Sequence, residues 1–285
     1  MLEGSTGSSP AAGVPTAASD LVRQAADNAA RYDYHRDGFA ISPGPLFTPE
    51  EVDELSRHAD RVLAGDYETG VAPRTNTGGS DASKHVGYIE SQMPQDADDV
   101  IARAIRNPRI GQWVARITGA KRLKVWTASV MKKYPGEEES DTIVGWHQDR
   151  RYSDLIVQGK SVNIWIALCD VSEDLGPVRF VPRSNQWDRR FETGFFDRDV
   201  DRQRSEFDIP EGEEWTEVEA VLPAGWASAH SIYTLHGSSG NRGDRPRLSL
   251  LISAAIDDFQ MVPGRYFETR QDDDRATPVI YPAVA

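Results

Sequence analysis

A chain of 285 residues with 39% hydrophobic and 27% charged residues can bury a sizeable core, which excludes a globally disordered protein. Its 32 Lys plus Arg stand against 45 Asp plus Glu, a net charge of −13 that repels phosphate backbones and anionic membranes, so no nucleic acid and no membrane partner is expected. The single cysteine, Cys169 in the apolar run Ile166-Ala167-Leu168-Cys169, excludes an intrachain disulfide and a thiolate metal cluster.

The first residues mix Gly, Ser, Ala, Thr and Pro without a basic or an apolar stretch, so residues 1–18 are expected to be a disordered tail and not a secretory signal. No run reaches the roughly 18 apolar residues of a membrane helix, and a cytoplasmic location is the expectation. Ser19 caps a predicted helix whose apolar face carries Leu21, Val22, Ala25, Ala26 and Ala29. Gly38-Phe39-Ala40-Ile41 reads as a turn and a short strand. Thr48-Pro49-Glu50-Glu51 is a helix start, with threonine as N-cap, proline at the first position and glutamate at the third. That helix carries Val52, Leu55, Ala59, Val62 and Leu63 and ends near Gly65. Residues 66–96 lack a sustained period and read as a lid-like excursion. Helices are predicted over 97–106 and from Asn107-Pro108 to Gly119.

After Gly119 the texture becomes β-rich, with runs at Leu123–Met131, Val162–Leu168, Val178–Val181 and Leu248–Ile252. Helices followed by strands predict a β core with helices packed outside it. Residues 186–215, crowded with Asp, Arg, Glu and Phe, read as a second lid-like insertion. No linker divides the chain, so 19–285 is read as one domain.

Two histidines and one carboxylate make the ligand set that holds non-haem Fe(II) while leaving coordination positions open. The run Gly145-Trp146-His147-Gln148-Asp149 supplies His147 and Asp149, which in a strand would point to one side. Of the six histidines, His230 and His236 compete for the third place. In one continuous strand they would share a face. Gly237, which permits close backbone approach, Ser238 on that face and Arg247 on the next β run favour His236, leaving His230 as a pocket histidine. Arg247 offers a planar fork for a carboxylate.

Together these residues resemble the phytanoyl-CoA dioxygenase family of Fe(II)/2-oxoglutarate oxygenases. The similarity runs from Asp37-Gly38-Phe39 and the Thr48 helix start through Asn107-Pro108-Arg109-Ile110 and a Lys133-x-Pro135-Gly136 turn. It continues through His147-Gln148-Asp149, Trp165-Ile166-Ala167-Leu168-x-Asp170, Gly176-Pro177 and His236-Gly237-Ser238-x-x-Asn241. The resemblance implies a mainly β protein, a double-stranded β-helix (jelly roll) with flanking N-terminal helices. It implies iron on His147, Asp149 and His236, and the distal carboxylate of 2-oxoglutarate on Arg247 and Ser238. Trp165 and Ser129 fall where relatives line the co-substrate pocket.

The implied cofactors are Fe(II), 2-oxoglutarate and O2, and the implied reaction oxidises a C–H bond of a small molecule by hydrogen abstraction, with hydroxylation, epimerisation, desaturation or ring closure as outcomes. Halogenating relatives replace the carboxylate ligand by a small residue, so Asp149 disfavours halogenation. Pro182-Arg183-Ser184-Asn185 and Gly225-Trp226 depart from the family's usual turns without touching a ligand. Trp187, Phe191, Phe195 and Phe196 are read either as a substrate wall or as packing of the insertion; Phe195, Phe196, His85 and His230 are the candidate substrate contacts. The absence of a basic patch for coenzyme A phosphates points to a small metabolite, such as a natural-product intermediate. A zinc hydrolase with the same ligands would leave Arg247 and Ser238 unexplained. An inactive binding barrel would leave the intact ligand set without purpose.

Overall fold

Period-two alternation along the long β runs builds two different surfaces from one sheet. The computed structural model describes residues 17–77, 87–136, 139–187, 191 and 197–282. Among them the helices are α1 (Ala17–Arg31), α2 (Tyr34–Asp37), α3 (Pro49–Leu63), α4 (Asp99–Ile105), α5 (Pro108–Thr118), α6 (Arg150–Ser153) and α7 (Val200–Glu206). The strands are β1 (Phe39–Ile41), β2 (Thr75–Asn76), β3 (Tyr88–Gln92), β4 (Leu123–Lys133), β5 (Val144–His147), β6 (Val157–Ala167), β7 (Val178–Phe180), β8 (Val218–Glu219), β9 (Ala227–Ser231), β10 (His236–Ser238), β11 (Arg247–Met261) and β12 (Val279–Tyr281).

A large sheet runs in the order β1-β9-β6-β11-β4-β3-β2, with β12 also on β4, and a small sheet runs β5-β10-β7-β8. Every pairing is antiparallel. On β6, Val162, Ile164 and Ile166 turn outward; on β11, Leu248, Leu250, Ile252 and Ala254 do the same. They join Val52, Leu55 and Val62 of α3, Ile101 and Ile105 of α4 and Ile110, Trp113 and Val114 of α5 in one buried cluster. The alternate residues face the small sheet, where Phe39 of β1 stacks on Phe180 of β7 with ring centroids 4.5 Å apart. This is the jelly roll, with the helices covering its large sheet.

Local chemistry sets the helix ends. The Thr48 side chain accepts from the Glu51 amide and Glu51 returns the bond to the Thr48 amide, the reciprocal cap expected there. Asn107 caps α5, and Gly119 ends it in the left-handed conformation. Helix α1 begins at Ala17, two residues inside the segment expected to be tail, because Ala17 and Ala18 extend the same helical run.

Two expectations need correcting. Residues 66–96 are not simply a lid: β2 and β3 lie within them, and β3 pairs with β4 from Tyr88↔Lys133 to Gln92↔Ser129, extending the large sheet. In 186–215 the aromatics that are described turn away from the ligand cluster. Trp187, Phe191, Phe207 and Trp215 pack with Trp146 against the outer face of the small sheet. Trp146 precedes His147 on β5, so strand parity sends the two side chains to opposite faces. Of the two readings of those aromatics, packing of the insertion is the observed one for Trp187 and Phe191. Phe195, Phe196 and His85 lie outside the described residues, as do residues 1–16.

Candidate metal and co-substrate site

His147 ends β5 and His236 opens β10, and the two are direct register partners. Their rings lie 4.2 Å apart between centroids. Each imidazole is oriented by a backbone carbonyl two residues upstream: His147 Nδ1 bonds Gly145 O at 2.8 Å and His236 Nδ1 bonds Thr234 O at 3.0 Å. That arrangement places the proton on Nδ1 and leaves each Nε2 bare, the state a metal requires. Burial pushes His236 well below its ordinary value, which keeps it neutral.

Asp149 completes the cluster from an unexpected conformation. The strand stops at His147, and Asp149 is helical in φ and ψ at the start of α6, so a turn brings the carboxylate round where a continuous strand was expected. Gln148 pins that turn by donating to Tyr233 O at 2.8 Å, and the Arg150 amide donates to Ile232 O at 3.0 Å. Asp149 Oδ1 lies 3.5 Å from His147 Nε2 and Oδ2 lies 3.3 Å from His236 Nε2. One ligand atom from each of the three falls within 4.8 Å of the others. Burial alone would raise the Asp149 carboxyl; the imidazoles of His236, His147 and His230 that surround it hold it well below the carboxylate range.

His230 and His236 do not share a strand, contrary to the simplest reading of their spacing. His230 is on β9 of the large sheet, and faces His236 of the small sheet across the barrel with ring centroids 4.3 Å apart. Its Nε2 is 3.1 Å from Asp149 Oδ2. Gly237 earns its place: a Cβ there would sit 2.8 Å from Val144 O and 3.3 Å from Gly145 O. Gly237→Ala is therefore expected to push β10 off β5 and cost about 1–3 kcal/mol, read as a lowered thermal midpoint of the metal-free protein.

A narrow cavity of about 80 Å³ runs from the cluster between the sheets, lined by Tyr88, Met131, Trp165, Leu251, Ser238 and Arg247 among others. Ser129 also faces inward and is buried, but Met131, one same-face position along β4, takes the lining place. At the far end Arg247 lies over Trp165, its guanidinium carbon 5.1 Å from a ring centroid of the indole. Its Nη1 donates to Gly176 O, and its buried Nε has no partner. Burial lowers Arg247 to about 10, still charged at neutral pH.

Lys133, which the sequence placed only in a turn motif, is a second buried cation beside Arg247. It is 1% exposed and is the register partner of Arg247 across β4 and β11. Its Nζ donates to Ser238 Oγ at 2.6 Å and to Ser239 O at 2.7 Å. Burial, then the charges of Arg247 and Arg179, push its ammonium well below the ordinary value. Among the described residues no carboxylate pairs with either Lys133 or Arg247. Like charges directly opposite one another destabilise a sheet, and a buried cation wants an anion. Arg247 lines the cavity and Lys133 reaches its wall through Ser238, an arrangement able to seat an anion. A larger cleft of about 540 Å³, lined by Phe47, Leu55 and Arg109, lies on the helix side of the large sheet, away from this chemistry.

Similar solved structures share this architecture. The epimerase SnoN from nogalamycin biosynthesis is 22% identical at a TM-score of 0.61, covering 87% of this chain and 89% of that one. The carbocyclase SnoK of the same biosynthesis is 20% identical at a TM-score of 0.61, covering 89% and 91%. EvdO2 from Micromonospora carbonacea var. aurantiaca, solved with 2-oxoglutarate, is 18% identical at 0.55, covering 81% and 91%. At such identities the likeness concerns the fold. No curated protein sequence matches the chain significantly. The profile of the phytanoyl-CoA dioxygenase family matches residues 34–249, a span that holds the ligand cluster and both buried cations. The chain belongs to the phytanoyl-CoA dioxygenase family, whose members depend on Fe(II) and 2-oxoglutarate.

Proposed function

We propose that His147, Asp149 and His236 hold the iron of an oxygenase acting on a small metabolite, and that Arg247, Lys133 and Ser238 hold the distal carboxylate of its 2-oxoglutarate. One observation carries this reading: two bare imidazole nitrogens and a carboxylate meet on a cavity that the buried Arg247, a cation without a carboxylate partner among the described residues, also lines. The donor set suits Fe(II), and the orphaned Arg247 Nε is the kind of group that a carboxylate ligand satisfies. When bound, iron and 2-oxoglutarate consume O2, release succinate and CO2, and supply the oxidising power that removes hydrogen from a substrate carbon.

The chain's part is to bind, orient and exclude water. Trp165 walls the oxo acid and positions Arg247 by stacking. Ser238, held by Lys133 Nζ, adds a hydroxyl beside the guanidinium. On the described surface near 186–215, the arginines are already neutralised: Arg183 pairs with Glu213 at 2.7 Å and Arg202 with Glu206 at 2.8 Å. This supports a substrate without phosphates. The similar proteins SnoN and SnoK are an epimerase and a carbocyclase of nogalamycin biosynthesis, which supports a natural-product intermediate as substrate. They also support epimerisation or ring closure as outcomes beside hydroxylation.

The test is an anaerobic titration of the metal-free protein with Fe(II) and then 2-oxoglutarate. A visible metal-to-ligand charge-transfer band is expected in the wild type and absent in His147→Ala. A wild type that binds Fe(II) without developing the band would overturn chelation at this site.

A further inference from the structure

Asp149 is held from across the barrel, by residues that its own segment does not supply. Although it occupies the N-cap position of α6, its side chain makes no capping hydrogen bond. Two side chains of the large sheet reach it instead. Asn163 Nδ2 donates to Asp149 Oδ2 at 2.5 Å, and His230 Nε2 lies 3.1 Å from the same oxygen. Asn163 on β6 and His230 on β9 are register partners, so strand pairing delivers both donors to one point. Two donors occupy the lone pairs of a carboxylate oxygen. The other oxygen, Oδ1, lies 3.5 Å from His147 Nε2, and Oδ2 is itself 3.3 Å from His236 Nε2.

We infer that Asn163 and His230 are positioning residues that clamp Asp149 through Oδ2 and thereby present Oδ1 alone to the metal. The inference rests on the metal reading above. Its second support lies at the far ends of the two clamping groups. Asn163 Oδ1 and His230 Nδ1 are both buried without a hydrogen-bond partner. Buried polar groups kept for structure are normally satisfied. Here each residue forgoes one hydrogen bond, and what it gains is the contact with Asp149. Donation from His230 Nε2 requires the proton on that nitrogen, in keeping with an Nδ1 that has no partner. The consequence is chemical. A carboxylate gripped by one oxygen binds the metal through the other and leaves more of the coordination sphere open. A released carboxylate is able to swing both oxygens onto the ion and close a position that the co-substrates require.

The experiment uses the metal-free full chain and Co(II) alone, whose visible absorption reports coordination number as well as occupancy. Asn163→Leu and His230→Phe remove the donors while keeping volume, and His230→Gln restores an N–H donor. Each of the first two is expected to weaken Co(II) binding about 10–100-fold and to change the absorption envelope, and His230→Gln to recover much of both. Thermal midpoints without metal should fall only modestly, since each apolar variant removes a buried orphan along with a donor to Asp149. Wild-type affinity and spectrum in both apolar variants would overturn the clamp while leaving the metal site standing. A wild type that binds no Co(II), or His147→Ala binding it unchanged, would sink the metal reading and the clamp together. If one apolar variant does not fold, the other together with His230→Gln decides the outcome.

Discussion

Replacing His236 with alanine is expected to abolish stoichiometric Fe(II) binding and to reduce succinate formation by roughly 10³-fold or more, since an acceleration of at least about 10⁶-fold rests on the centre it helps to build. The neighbouring His230 is unable to replace it. His230 belongs to the opposite sheet, and its Nε2 is committed to Asp149 Oδ2. The metal-free fold should suffer little, because His236 contributes one hydrogen bond, to Thr234 O, worth about 1 kcal/mol. The discriminating measurement compares Fe(II) binding in His236→Ala with that in His230→Ala. Retention of tight binding in the first and its loss in the second would exchange the roles of the two histidines.

Arg247→Met is expected to raise the KM for 2-oxoglutarate by about two to three orders of magnitude, the cost of truncating one partner of a buried, hydrogen-bonded charge pair, about 2–5 kcal/mol. Lys133→Met should raise it about 10–100-fold, in line with about 1.5–3 kcal/mol for a hydrogen bond to a charged group. Thermal unfolding distinguishes this from ordinary structural damage. The two cations sit opposite each other and are 3% and 1% exposed, so each burdens the ligand-free protein. Removing one should leave the ligand-free thermal midpoint nearly unchanged, while the upward shift that 2-oxoglutarate produces in the wild type shrinks. An unchanged KM with a lowered midpoint would show that Lys133 serves packing and not the co-substrate. Succinate release against 2-oxoglutarate concentration, with melting curves at matched concentrations, provides both readings.

Legibility in the sequence followed the range of the interactions. The α3 start was readable because its cap involves Thr48 and Glu51 alone. The β-rich runs were readable because burial on one or both faces leaves its mark in alternation or continuous apolarity. Strand β3 was missed, since Tyr88–Gln92 carries Glu90 and Gln92 and becomes a strand only by pairing with β4. Lys133 was missed for a related reason. In the sequence it stands only as the start of a turn motif, beside Lys132, which reaches Asp60 on the helix side. Strand parity sends one outward and the other inward, and only the register opposite Arg247 shows that the inward one meets a second cation. Asn163 gave no signal either, being a single polar residue inside an apolar strand.

By itself, then, the sequence supplied the candidate ligand types, most of the order of helices and strands, and the preference for His236 through its companions Gly237, Ser238 and Arg247. Those follow from side-chain chemistry and from neighbours within a few positions. Tertiary structure alone decided how the ligands meet. It turned Asp149 into the site through a helical turn, set His230 on the facing sheet, sent Trp187 and Phe191 to the back of the small sheet, and brought Lys133 opposite Arg247. The physical reason is that antiparallel register joins residues far apart in the chain, and a one-residue change in that register would reverse which side chains face the metal.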